Sequence, residues 1–414
     1  EITAVNDNIF KNIFFINDFL SSLYYIRTYV LISLMHSFDE KYSLVLPGGG
    51  ARGAYQVGVL KAVSVIQERQ KRSPFQVISG TSAGAINASV ISSKIDNFDE
   101  SINHLENVWK NFSTEQIYKA DKIFMLKQSL HWLLTLVTGG VLLNNPKSLL
   151  DNSPLRELLK KKIDFASIQN NLLSKELDAL IVTAASYNKK QSVSFFSTDH
   201  EIKEWKKIGR VGRQTMINID HLMASVALPL IFPAISIDGQ FFGDGAMRQE
   251  TPLSPSIRLG ARKLFIISTE SKINNGENFE SIAYPSFTDI GGYVLDGLFS
   301  GSLYADLERL DRINQVIEKN GSNNIKTASK EMHYIDYMVI APSKDINQIA
   351  MNHFMDIPIT IRMLFRGLGI KKNQNAELLS FLMFESSFSK SLIALGYDDA
   401  MSRSDEIKEF LRLK

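Results

Sequence analysis

Ser82 lies in Gly80-Thr81-Ser82-Ala83-Gly84, a G-x-S-x-G between a short apolar run and a helical pattern. A serine in that setting stands on a sharp strand-to-helix turn. Its small neighbours let the backbone bend and leave the hydroxyl uncovered, with the N-terminus of the next helix beneath it. Upstream, Gly48-Gly49-Gly50-Ala51-Arg52-Gly53 makes another turn after an apolar run. A loop so poor in side chains can aim several backbone N–H groups at one point, as an oxyanion requires. Downstream, Phe241-Phe242-Gly243-Asp244-Gly245-Ala246 holds a carboxylate in a tight turn with nothing bulky beside it. Taken alone, that pattern is also an ordinary Asp-Gly turn. The first two motifs together point to a serine hydrolase.

Other chemistries fit less well. Gly48, Gly50 and Gly53 also satisfy the G-x-G-x-x-G of dinucleotide binding, which wants an acid at the end of the second strand to hold a ribose. Here Phe75–Ser79 runs into Gly-Thr-Ser, and the nearest acid, Glu68, falls in the intervening helix. A nucleotide-binding module is therefore the weaker reading. A Ser-His-Asp triad would draw on His333 or His353, which follow Asp244, but neither occupies a glycine-rich turn. His221 precedes the aspartate and suits a helix start or the core. No histidine or carboxylate cluster has metal-ligand spacing, so neither a metal nor a cofactor is expected.

The elements that must position these groups follow from periodicity. Tyr42–Leu46 and Phe75–Ser79 read as buried strands, Ala54–Arg69 and Ala83–Ser93 as the helices after them. A right-handed crossover makes the two strands parallel neighbours, so both glycine turns face one sheet edge. Ala179–Ala185 and Val193–Ser197 read as a hairpin across Asn188–Gln191. Asn152-Ser153-Pro154 caps a helix running to Lys162, and a short helix from Asp220 stops before Pro229. Arg262–Thr269 and Tyr334–Ala341 add strands; Asp289–Lys319 and most of the chain from Leu378 are helical.

At 414 residues the chain can bury a large core, and a net charge of +2 argues against a nucleic-acid binder driven by bulk charge. The absence of cysteine excludes disulfides and thiolate catalysis. Three parts are expected: an apolar helical segment over 1–41, a catalytic domain over 42–270, and a mainly helical part over 271–414 packed upon it. Phe19–Phe38 is apolar but carries Arg27, which suits a helix on the domain or at a membrane surface better than a span. Gln128–Leu143 is uncharged and reads as a core helix or as a lid hinged at Gly139-Gly140.

With the motifs laid out, the chain resembles the bacterial patatin-like phospholipases. That family pairs a G-G-G-x-R/K-G loop, a G-x-S-x-G elbow and a D-G-A/G turn in this order. Gly48–Gly53, Gly80–Gly84 and Asp244-Gly245-Ala246 match them, and Ala224-Ser225-Val226-Ala227-Leu228-Pro229 looks like the segment before the aspartate turn. The resemblance spans about Tyr42–Ser268. It implies an α/β fold, three-layer α/β/α with a central, mainly parallel sheet, plus helical N- and C-terminal additions. It further implies a Ser82–Asp244 dyad, an acyl-enzyme, and an oxyanion held by the Gly48–Gly53 loop. Arg52 would steady that loop or meet substrate phosphate. The expected substrate is a phospholipid or lysophospholipid, met by a cytoplasmic protein in peripheral contact with a membrane surface. The alternative is a catalytically idle lipid-binding or regulatory protein of the same fold.

Overall fold

A computed structural model describes residues 40–119, 131, 135, 138, 147–271, 287–299, 301–319, 324–327, 330–367 and 376–413. The apolar segment 19–38, and 128–143 apart from three of its residues, lie outside these. Tyr42–Lys414 gathers into one compact unit.

Its centre is a ten-stranded sheet. The strands are β1 (Lys41–Leu46), β2 (Val77–Thr81), β3 (Ala179–Ser186), β4 (Gln191–Ser197), β5 (Trp205–Lys207), β6 (Arg210–Gln214), β7 (Ile235–Ile237), β8 (Gln240–Asp244), β9 (Ala261–Ile267) and, after a separate two-stranded hairpin of β10 (Asn324–Thr327) and β11 (Lys330–His333), β12 (Asp336–Ile340). Their order is β12-β9-β1-β2-β3-β4-β6-β5, with β8 on β3 and β7 on β8. Pairs β1/β2, β2/β3, β4/β6 and β9/β12 are parallel, while β3/β4, β3/β8, β5/β6 and β7/β8 are antiparallel.

The helices used below are α1 (Ala54–Ile66), α2 (Ala83–Ser93), α3 (Phe98–Lys110), α4 (Ile219–Ser225), α5 (Phe287–Phe299), α6 (Gly301–Lys319), α7 (Ile346–Asn352), α8 (Ala376–Leu382) and α9 (Ser386–Met401). Both faces of the sheet are covered, and the strand period shows it. In β1, Leu44 and Leu46 join one apolar cluster with α1, α2 and α9, while Val45 joins another with Leu303 and Leu307 of α6. In β9, Phe265 and Ile267 go to the first cluster, Leu264 and Ile266 to the second. Alternate side chains of a strand leave opposite faces, so a strand buried on both sides must be apolar throughout. The result is the expected three-layer α/β/α arrangement around a mainly parallel sheet.

Local differences have local causes. The second strand runs to Thr81 rather than Ser79, because Gly80 and Thr81 stay in register with Val182 and Thr183. α1 stops at Ile66, since Glu68 and Arg69 adopt φ of 59° and 55°, outside any helix. Asn152 does not cap the helix Ser153–Lys162; Asp151 Oδ1 accepts the Ser153 N–H instead, at 2.8 Å. The helix expected from Asp220 begins one residue earlier, where Asn218 and His221 form a reciprocal capping box.

Candidate active site

β2 leaves the sheet just where β8 joins it. Thr81 is the last β2 residue and faces Thr183 of β3, while Asp244 faces Ala184, the next residue along. β4 occupies the other flank of β3 over this stretch, so β8 continues the flank that β2 vacates. Ser82 and Asp244, 162 residues apart, thus follow one another along the edge of a single strand.

Ser82 takes φ 54° and ψ −126°, a region that non-glycine residues rarely adopt and that costs of order 1–3 kcal/mol. Partners hold it there. Its N–H donates to Ser225 Oγ at 2.9 Å, and that hydroxyl donates onward to the Thr183 carbonyl at 2.7 Å. Thr81 Oγ1 donates to Gln249 Oε1 at 2.5 Å. Gly80 lies in β2, and Ala83 opens α2. Gly84 is required sterically, because a Cβ there would meet the Leu46 carbonyl oxygen at 2.0 Å. The start of α2 is therefore pressed onto the end of β1, which fixes the serine beside the glycine turn. A Cβ on Gly48 would stand 3.1 Å from the Ser82 Cβ.

Gly50–Gly53 is a single 3₁₀ turn. The Arg52 N–H donates to the Gly49 carbonyl at 3.1 Å, so of the six loop residues named from sequence Arg52 has no amide to offer a ligand. The amides of Gly49, Gly50 and Ala51 have no backbone partner among the described residues. Thr269 Oγ1 donates to the Gly48 carbonyl at 2.7 Å, and Asn87 Nδ2 to that of Gly53 at 3.1 Å. Trp109 Nε1 donates to Asn87 Oδ1 at 2.7 Å, fixing that amide in turn.

Arg52 is buried and fully engaged. Its Nε donates to Ser380 Oγ at 2.8 Å and Nη2 to Asn347 Oδ1 at 2.9 Å. Nη1 lies 3.8 Å from Asp296, and the guanidinium sits 3.8 Å above the Phe381 ring. Burial lowers its pKa to about 10, with Asp296 the chief opposing charge. Of the two roles left open, steadying the loop is the one these contacts serve. Phe299, at the end of α5, stacks on Phe381 with ring centroids 5.1 Å apart and rests on Gly48. Beneath it Ser82 is only 3% exposed.

Asp244 is wholly buried. Its N–H donates to the Ala227 carbonyl at 2.8 Å, and its Oδ1 accepts the Ala246 N–H at 2.9 Å. Asp244 is the last residue of β8, with Gly243 before it in the strand and Gly245 opening the 3₁₀ turn after it. Burial pushes the carboxyl up to about 7, against the pull of the Ser82 hydroxyl and the Ala246 N–H. Ser82 is thus near enough to favour the carboxylate, yet Oδ2 has no hydrogen bond of formed geometry among the described residues. Oδ1 holds the residue in place, and Oδ2 is left without a partner among the described residues.

His221 and His353 are engaged with other partners. His221 is buried in the capping box of α4, and His353 reaches Ser391 and Asp356 far along the chain. Among the described residues no group of three or more potential metal ligands occurs. Ser225, Gln249, Asn87, Asn347 and Ser380 carry no motif of their own. Only Ser225 had a signal, as part of the stretch before the aspartate turn.

The sequence model of the patatin-like phospholipases matches residues 44–257. Among solved structures, VipD from Legionella pneumophila aligns over 89% of this chain and 67% of its own, with 14% identity and a TM-score of 0.35. Human GIVD cytosolic phospholipase A2, in complex with methyl gamma-linolenyl fluorophosphonate, aligns over 90% of this chain with 11% identity and a TM-score of 0.41. The chain spans 59% of that human protein. Among curated proteins none matches.

Proposed function

We propose, on the premise that this chain belongs to the patatin-like phospholipase family, that it cleaves carboxyl esters of phospholipids or lysophospholipids through Ser82 and Asp244. Ser82 Oγ attacks the ester carbonyl carbon as its proton passes to Asp244 Oδ2. The oxyanion that forms is held by the amides of Gly49, Gly50 and Ala51, each donor worth about 3–4 kcal/mol in such sites. Collapse breaks the ester bond and releases the alcohol, which takes the proton from Asp244 and leaves an acyl-serine. Asp244 then deprotonates a water that attacks the acyl carbonyl, and the fatty acid departs with the serine hydroxyl restored.

The observation that carries this reading is the state of Asp244. A carboxylate in water is too weak a base to take a serine proton efficiently. Desolvation raises its proton affinity towards the working pH, where general-base catalysis is most effective. A carboxyl at about 7, with an unengaged oxygen beside a hydroxyl, suits that task.

Contact with the lipid surface is peripheral in this reading. Among the described residues no helix is long and apolar enough to cross a membrane. α5, whose Phe299 covers the glycine turn, turns Ile290, Tyr293 and Val294 outward, at 48%, 78% and 53% exposure. A fluorophosphonate carrying an acyl-like chain tests the chemistry directly. The expected adduct is on the Ser82 peptide alone, and it is absent from Ser82→Ala. Labelling at another serine, or none in a folded protein that turns over lipid esters, rejects the dyad.

A further inference from the structure

A cavity of about 440 Å³ opens between the start of β6, the 251–258 segment and α6. Its lining shares no residue with the serine, aspartate or glycine turns. Four arginines line it, Arg210, Arg258, Arg262 and Arg309, against one acid, Asp306. That acid is already engaged: it accepts the Leu253 N–H at 3.1 Å and pairs with Arg309 at 3.4 Å. The rest of the wall is largely apolar, chiefly Leu253, Ile257, Leu310 and Ile313.

Two of the arginines are placed as though for a ligand. Arg210 is oriented by a hydrogen bond from its guanidinium to the Thr251 hydroxyl. Arg258 lies 5.5 Å from the centroid of the Trp205 ring, itself stacked on Phe196, and its Nε is buried with no partner among the described residues. Burial, and after it the charge of Arg210, pushes the Arg258 guanidinium below its ordinary pKa. A buried donor without an acceptor and two like charges brought together both cost free energy, and an anion between them would remove both costs. Guanidinium forks suit a carboxylate or phosphate, which they can grip with two parallel bonds. An inorganic anion would leave the aliphatic wall idle, and a neutral lipid would leave the arginines unsatisfied.

We propose that this cavity binds an anionic amphiphile, its carboxylate or phosphate head between Arg258 and Arg210 and its hydrocarbon body against Leu253, Ile257 and Leu310. The volume falls within the range of small-molecule sites, roughly 300–1,000 Å³. The site is separate from acyl-ester hydrolysis and stands whether or not Ser82 is the nucleophile. Its occupant is either a fatty acid, the acid product of ester cleavage, or a phosphate-headed single-chain lipid.

Calorimetric titration of the full chain with monomeric dodecanoate and dodecyl phosphate tests this, with dodecyl maltoside and dodecyltrimethylammonium as controls. One or both anions bind, the head that binds more tightly identifies the source, and neither control competes. Arg258→Gln weakens binding at least about tenfold, the loss expected for a charge-assisted bidentate contact. Arg309→Gln, at an exposed position, gives a smaller loss and guards against misfolding of the first variant. Ser82→Ala binds like the wild type, and Arg258→Gln keeps its ester turnover. Equal binding of a control, an unchanged affinity in Arg258→Gln, no binding of either anion, or loss of binding in Ser82→Ala overturns the assignment.

Discussion

Ser391 and Ser82 each have an acid at hand, and they sit in opposite kinds of backbone. Ser391 has what a catalytic triad needs by roster: its Oγ lies 2.9 Å from His353 Nε2, and His353 Nδ1 lies 2.9 Å from Asp356 Oδ2. Ser82 has only Asp244, and no formed hydrogen bond joins them. Yet Ser391 lies inside α9, where its own amide and those after it are held in the helix ladder. Those amides are spent within the helix and are not offered to an oxyanion. Asp356 is 47% exposed and also accepts from Ser387, and these bonds hold its carboxyl below the ordinary range. Ser82 stands on a strained turn beside amides without backbone partners, facing a carboxyl that burial has raised. Under the proposed function, the difference teaches that a nucleophile is made by backbone geometry and desolvation more than by its side-chain companions.

The sharpest way to break this contrast is to remove each base. Asp244→Asn and Ser82→Ala should each lower turnover of a chromogenic ester by about 10²–10⁴-fold, the range for a lost proton-transfer group. The circular dichroism of both variants should be unchanged. Ser391→Ala and His353→Ala should keep turnover within about twofold of wild type, since neither side chain belongs to the proposed serine–aspartate site. Large losses in the second pair would undo the comparison.

Next in size is the backbone itself. Gly84→Ala drives a methyl group into the Leu46 carbonyl and should destabilise the protein by about 3 kcal/mol or more, read by urea unfolding.

The pH dependence follows from Asp244. Its ionised form is the base, so kcat/KM should fall about tenfold per unit as pH drops below about 7. The unfolded aspartate titrates near 4, so between about 4 and 7 the folded protein keeps a proton that the unfolded chain has released. That difference makes stability decline as pH rises through this window, and Asp244→Asn should lessen the decline, with Glu270, which burial also pushes up to about 7, keeping the remainder. A wild-type decline no steeper than that of Asp244→Asn would show that Asp244 is ionised throughout.

The smallest effect concerns Ser225. Ser225→Ala removes the acceptor for the Ser82 N–H and should cost about 1 kcal/mol, with a few-fold loss in kcat and little change in KM. An unchanged kcat would mean that the turn needs no support from α4.

Much of this architecture was readable before any coordinates. The strand–turn–helix pairs around Gly48 and Ser82 follow from apolar runs broken by glycine, and the parallel neighbours β1 and β2 follow from crossover handedness. Sequence misleads or stays silent where local and distant effects compete. Asn152 has the composition of a cap, but Asp151 takes the Ser153 amide. Arg52 suits a loop brace and a phosphate ligand alike by sequence, and its partners Ser380 and Asn347 lie 328 and 295 residues away. The Ser391–His353–Asp356 chain leaves no mark in the sequence, since spacing along α9 and in the turn after α7 gives no hint of the meeting.

By itself the sequence determined which backbone turns could form and which reactive atoms stood on them. Turn geometry depends on a few adjacent residues, and glycine is what allows it. The tertiary structure alone decided which of those atoms are reactive. Proton affinity depends on burial, and oxyanion donors depend on which amides find no other partner. Both are set by groups brought together from opposite ends of the chain.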